Sequence, residues 1–209
     1  MYNFRRFIQD ERGSLSIEAV ILFPFLIWTL GVTFAFWDAY HAKLISKRAA
    51  YTISDAISRD QSDTIRNQDL VGYASVHSYL LRGKHPSRLR VTAFHWDPVE
   101  EEYNVIWSQT PNADFPGHTN ETLNARADQI PNLADGDLVF LVEAQVGYTP
   151  ILSVGLGQMA FEEFIVTRVR TGPQLVWENA DGTTIGFGDT SAETVPRSAM
   201  IVGVAPAKG

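Results

Sequence analysis

The chain has 209 residues, no cysteine, and a formal net charge of −7 from 24 acidic and 17 basic residues. Without cysteine there are no disulfides, thiolate metal sites or thiol nucleophiles, and the acidic balance makes nucleic acid a poor partner. The length suits one domain with additional elements. In chain order, residues 1–13 form a short leader with Arg5, Arg6 and Arg12 that ends at Gly13. Residues 19–37 then carry no formal charge. At about 1.5 Å per residue this run nearly crosses a hydrocarbon core about 30 Å thick. A buried core helix is the plainer reading of such a run. Its length, its place near one end, and Trp28, Trp37 and Tyr40 favour a membrane span. It is too long for an ordinary secretory signal, and no small-x-small site closes it.

Two residues interrupt this segment. Glu18 stands at its edge, where a carboxylate entering hydrocarbon is costly. Pro24 is the only internal breaker, expected to kink the helix or free one carbonyl. The helical pattern continues to about residue 59, with Ala39, Ala42, Ala49, Ala50, Ile53, Ala56 and Ile57 forming an apolar stripe. That stripe suits packing on the chain's own domain or in a bundle of like helices. Basic residues flank the span equally, three on each side, so charge alone does not orient it.

A polar turn follows, then a second helix expected from about residue 63 to 80, ended by "RGKHPS". Alternation predicts strands over 87–96, with Leu89, Val91 and Ala93 opposite Arg90, Thr92 and Phe94, and over 102–109, with Tyr103, Val105 and Trp107 on one face. "DPVEE" between them fits a hairpin turn. A loop, a short helix near 123–129 and the turn "ADGD" lead to strands over 138–148 and 161–170. Antiparallel pairing gives a sheet that must bury one face, with either helix as its cover. The Gly- and Pro-rich tail is expected to hold one hairpin around 175–185 and otherwise to be loose.

Chemistry-bearing patterns are sparse. His41, His77, His85, His95 and His118 form no spaced ligand pair, so no metal site is predicted. No serine sits in a nucleophile elbow, and "GLGQ" lacks the context of a phosphate loop. The neighbours Glu101–Glu102 and Glu162–Glu163 point to opposite strand faces and read as solvent-side charges. Asn120-Glu-Thr formally matches a glycosylation acceptor. No catalytic set and no cofactor are predicted, and the chain reads as a non-enzyme.

The opening stretch "FRRFIQDERGSLSIEAVILFPFLIWTLGV" resembles the N-terminus of the TadE/TadF-like minor pilins (pseudopilins) of the tight-adherence (Flp, type IVc) pilus system. Arg5, Arg6, Phe7, Asp10, Arg12, Gly13, Glu18 and Pro24 stand at the matching positions. "LVEAQVGYTPIL" and "FIVTRVRTGP" are similar, more loosely, to the family's later strands. The chain lacks the cysteine pair that such proteins often carry. Its length fits TadE-like and TadF-like chains better than the long TadG proteins.

The resemblance implies a pilin-like α+β fold, in which a long N-terminal transmembrane and amphipathic helix packs on a mostly antiparallel four-stranded sheet. The expected organisation is a leader (1–13), a transmembrane helix (14–37), its extracytoplasmic extension (38–60), a globular domain (61–171) and a partly disordered tail (172–209). A prepilin peptidase would cut between Gly13 and Ser14. The freed Ser14 amine would then meet Glu18 of an adjacent subunit as an assembly contact, with Pro24 as a helix kink. Implied partners are that peptidase, other minor and major pilins, the inner-membrane assembly platform and the lipid bilayer, with no nucleic acid. The implied location is the bacterial inner membrane, N-terminus cytoplasmic and C-terminal domain periplasmic, with the pilus as a further destination. Two alternatives stay open: a bitopic membrane protein with a binding or scaffold domain unrelated to pili, and a membrane-tethered hydrolase.

Overall fold

The computed structural model describes residues 14–188 except 63, 153 and 173, with side chains from Ile17 onward. The leader with Gly13, and the tail beyond Gly188, lie outside the described residues. Helix α1 is continuous over Ser14–Ser58, 45 residues. Along its first part large apolar side chains stand exposed on every side, among them Ile21, Phe25, Trp28, Leu30 and Trp37. Its most apolar 18-residue window has mean hydropathy 2.2, and only 6% of that window is buried within the molecule. A core helix would be mostly buried, so this segment is long and apolar enough to cross a membrane. Its threonines already suit such a medium. The hydroxyls of Thr29 and Thr33 donate to the carbonyls of Phe25 and Thr29 at 2.8 and 2.9 Å, leaving no bare polar donor.

The chain divides into two compact units. One comprises the helix as far as Ala42 together with Thr149–Gln158; the other comprises Lys43–Tyr148 and the chain from Met159. In the second unit four antiparallel strands form a sheet in the order β3-β2-β4-β5: β2 Ser87–Asp97, β3 Glu102–Gln109, β4 Leu138–Tyr148 and β5 Met159–Arg168. The C-terminal part of α1 lays Ala50, Ile53 and Ile57 on one sheet face, against Leu89, Val91, Phe140, Val142 and Ala144. Leu70 of α2 (Asn67–Leu80) joins them. The α+β class, the long helix and the antiparallel four-stranded sheet are therefore as expected.

Four particulars differ from the expectations. Thr64–Arg66, taken for helix, is a strand, β1. It pairs in parallel with β6 (Val176–Glu178), which forms with β7 (Thr184–Ile185) the hairpin expected around 175–185. Residues 174–188 are thus integrated: Leu175 and Trp177 are buried in the main core, and Trp107 donates its indole N–H to the Leu175 carbonyl at 2.9 Å. Second, Tyr103, Val105 and Trp107 do not share a face. A bulge shifts the β2–β3 register between Ala93 and Phe94, pairing Ala93 with Trp107 but Phe94 with Val105. One extra residue inverts the alternation, so Trp107 joins the helix-side core and Tyr103 the opposite one.

Third, the sheet buries both faces. Leu123, Ile130 and Leu133 from the β3–β4 connection cover Phe94, Val139 and Leu141. Fourth, the short helix in that connection is α3, Asn120–Asn124, followed by a single 3-10 turn at Ala127–Gln129. Helix α3 also closes a sheet edge. Asn124 accepts the Tyr103 N–H and donates to the Tyr103 carbonyl, both at 2.8 Å, and Asn120 accepts the Val105 N–H at 2.8 Å. Side-chain amides here stand in for a fifth strand and blunt an aggregation-prone edge. Asn120 is committed to that role.

His77, in the last turn of α2, is fully buried, and neither ring nitrogen has a hydrogen-bond partner. A helix C-terminus favours imidazolium by about 0.3–1 kcal/mol. Burial is the larger effect and pushes the His77 pKa below its ordinary value. The unfolded imidazole thus takes up a proton near its ordinary pKa of 6.5 while the folded one does not. Stability therefore falls as pH drops below that value. We expect His77→Leu to remove this acid step and to stabilise the domain at pH 5 more than at pH 7, as read by urea unfolding. In the same assay Trp107→Ala should cost about 3–5 kcal/mol. A loss under about 1 kcal/mol would mean that the Leu175–Trp177 segment is not part of the core.

Candidate functional site

The residues implied in processing and assembly fall at the start of α1. Gly13 lies outside the described residues. Ser14 opens the helix. Glu18 follows one turn later with its side chain exposed. Among the described residues it has no hydrogen-bond or ion-pair partner. Pro24 lies within the helix, which continues across it without a break. Proline offers no N–H, so the Val20 carbonyl loses its usual donor.

A second carboxylate is solved differently. Glu143 is the only charged residue in β4 and is buried. Arg90 stands directly across from it in the β2–β4 register. The arginine grips it through two parallel bonds, Nε to Oε2 at 2.6 Å and Nη2 to Oε1 at 2.8 Å. Such a fork is the strongest ion-pair geometry available to a carboxylate. Arg126 Nη1 adds a bond to Oε1 at 2.9 Å. His118 Nε2 lies 2.8 Å from Oε2, off the line that a hydrogen bond prefers.

The surrounding loop is built to deliver these groups. Gly117 passes so close to β3 that a Cβ there would meet the Ser108 carbonyl oxygen at 2.5 Å, and the His118 N–H donates to Ser108 Oγ at 2.7 Å. Arg90 Nη1 donates to the Pro116 carbonyl at 2.6 Å, and its guanidinium lies 4.3 Å over the Phe115 ring. Arg126 lies 5.0 Å over Phe164. Burial alone would push the Glu143 carboxyl up. The contacts with His118 and Arg90 outweigh it and hold the carboxyl below the usual range.

Thr122 Oγ1 lies 2.9 Å from His118 Nδ1, giving a hydroxyl–imidazole–carboxylate order. That order does not make a nucleophile here. The Thr122 hydroxyl is held in the cap of α3, donating to the Thr119 carbonyl and accepting the Thr119 N–H. Both Glu143 oxygens are occupied. Surface hollows of about 400, 570 and 680 Å³ are lined by Arg88, Asp114 and Gln145, by Tyr79 and Arg82, and by Arg66, Trp177 and Glu178, and none of the three reaches this cluster. The arrangement is a clamp that ties the β3–β4 connection to the sheet.

Glu162 and Glu163 do point to opposite faces, but only Glu162 is a solvent-side charge. It is exposed and accepts from Gln145 at 2.9 Å. Glu163 has a buried, unpartnered Oε1, and burial pushes its carboxyl up against the opposing pull of Lys47 and Lys43. Among the described residues no group of three or more His, Asp or Glu converges to hold a metal ion.

Sequence reading missed the clamp because the partners of Glu143 lie 17 to 53 residues from it along the chain. The one local signal was a lone carboxylate in an apolar strand. Removing one partner of a buried ion pair typically costs about 3–5 kcal/mol, whereas replacing the whole pair by apolar residues is often near neutral. Arg90→Ala should therefore destabilise the domain by that amount, and Arg90→Met with Glu143→Leu by much less. A depressed folded pKa makes Glu143 stabilising above the ordinary carboxylate value of 4.5, and that contribution is lost as pH falls through the folded pKa. The double variant should show a flatter stability–pH curve below pH 4.5, checked by thermal unfolding.

No family model matches this chain, and no curated protein or solved structure matches it.

Proposed function

We propose that this chain is a TadE/TadF-like minor pilin or pseudopilin that takes part in assembling a tight-adherence pilus or a related secretion apparatus. The observation that carries the proposal is the setting of Glu18. It is an exposed carboxylate, without a partner among the described residues, one turn on from Ser14 in a helix that continues through a membrane-competent apolar run. A charge at the centre of a span costs about 2.5–3.5 kcal/mol on insertion scales. Natural spans keep such groups where a partner or a function compensates them.

Cleavage between Gly13 and Ser14 by a prepilin peptidase creates such a partner, the Ser14 ammonium of a neighbouring subunit. The pair fixes axial register as helices bundle, much as a single buried polar residue fixes register in a coiled coil. The lipid bilayer, the assembly platform and other pilins complete the partner set. The proposed location is the bacterial inner membrane with the globular domain in the periplasm. The domain supports this reading through its architecture: both sheet faces are covered and the β3 edge is capped, while the helix stands bare.

Two variants test the proposal in cells that carry the rest of the apparatus. Glu18→Ala should be processed normally and reach wild-type abundance in membranes, yet be lost from sheared filaments and from detergent-extracted complexes with other pilins. Undiminished recovery in both fractions would contradict the pairing. Gly13→Leu should retain the leader, and normal processing of that variant would contradict the cleavage site.

A further inference from the structure

We propose that the turn joining β4 to β5 is a second lipid-facing element, which places the side chains of Ile151 and Leu152 in the bilayer beside α1. The inference rests on the reading that α1 spans the membrane. Residues 149–158 contain no charged side chain and include Ile151, Leu152, Val154 and Leu156. A hairpin tip in water ordinarily carries polar turn residues. The same sheet supplies its own comparison. The β2–β3 turn carries Asp97, Glu100 and Glu101 around a single Val99.

The position of the turn is as telling as its composition. It groups with the helix up to Ala42 as one compact unit, although the strands it joins belong to the other. Leu152 Cδ1 lies 3.7 Å from where a Cβ on Gly31 would stand, so the leucine packs against the bare glycine face of α1. Gly31 precedes Trp37 by six residues, about 9 Å along the helix. If Trp37 marks the interface, Leu152 reaches the depth of about 5–10 Å at which interfacial apolar residues settle.

Despite that contact, Ile151 remains 76% exposed and Leu152 41% exposed. Leu30 and Phe34 of α1 are exposed as well. The neck of the hairpin is firmly held. The Gly147 N–H donates to the Pro86 carbonyl at 2.9 Å, a Cβ at Gly147 would meet Pro86 Cγ at 3.0 Å, and Tyr148 packs on His85 with ring centres 5.5 Å apart. The Val154 N–H closes on the Leu152 carbonyl at 3.0 Å. A non-helical backbone is not tolerated in bare hydrocarbon, so the side chains enter while the backbone stays at headgroup level.

Because the chain has no cysteine, single cysteines report cleanly. The full chain is reconstituted in phosphatidylethanolamine–phosphatidylglycerol vesicles with an environment-sensitive fluorophore at Ile151→Cys, Leu26→Cys or Val99→Cys. It is then challenged with lipid nitroxides, shallow or deep, and with aqueous iodide. Val99, 89% exposed, is the water-side control. The expected result is a blue-shifted label at 151, quenched by the shallow nitroxide and shielded from iodide. The label at 26 should be quenched by the deep nitroxide, and the label at 99 by iodide alone. Iodide quenching at 151 with lipid quenching at 26 overturns the proposal and leaves the span intact. A label at 151 shielded from both quenchers also overturns it, in favour of a contact with a second copy. Loss of lipid quenching at 26 removes the span itself, and the proposal with it.

Discussion

The contact of Ala50, Ile53 and Ile57 with the four-stranded sheet is the constraint from which the rest follows. A single helix meets two environments along its length. Past Lys43 it has a sheet to cover, so its inner stripe is small and aliphatic and its outer face is polar. From Ile17 to Leu30 no stripe exists: apolar side chains stand exposed around the axis, the pattern of a helix apolar enough to lie in lipid. Polar contacts pin the packed part at its β5 side. Ser54 Oγ lies 2.6 Å from Thr167 Oγ1, and the Arg170 N–H donates to the Ser58 carbonyl at 2.9 Å. Helix and sheet are therefore joined by directional bonds as well as by apolar area.

Most of this architecture was legible in the sequence, because it rests on local periodicity. The helix shows as a charge-free run that continues into an i, i+3, i+4 stripe. The strands expected over 87–96, 102–109, 138–148 and 161–170 lie at 87–97, 102–109, 138–148 and 159–168. What escaped has no local signal. The bulge near Ile106 adds one residue to β3 and sends Tyr103 and Trp107 to opposite cores. Nothing in "EYNVIWSQ" marks it. Strand β1 is three residues long and exists only because β6, over a hundred residues away, pairs with it. The cover on the second sheet face is a loop, and its apolar residues are too scattered to form a pattern.

Two carboxylates share one sequence signature, a lone acid in an apolar segment, and the fold separates them. Glu143 receives both its arginines and its histidine from within the chain, and its charge is fully satisfied there. Glu18 receives nothing among the described residues, at the start of a segment apolar enough to cross a membrane. An internal clamp explains the first. Under the proposed function the second is met by a partner that another molecule brings, a cleaved N-terminal ammonium of opposite charge. The lipid contact proposed for the turn at Ile151 and Leu152 extends the same logic to apolar groups left exposed beside the helix.

The central claim is that residues 1–13 are a leader and that the functional molecule begins with the amine that Glu18 needs. Its most direct test is N-terminal sequencing of the chain extracted from bacterial membranes that contain its natural peptidase. The account predicts Ser14 as the first residue. A chain that still begins at Met1, recovered from fully assembled apparatus, would contradict it.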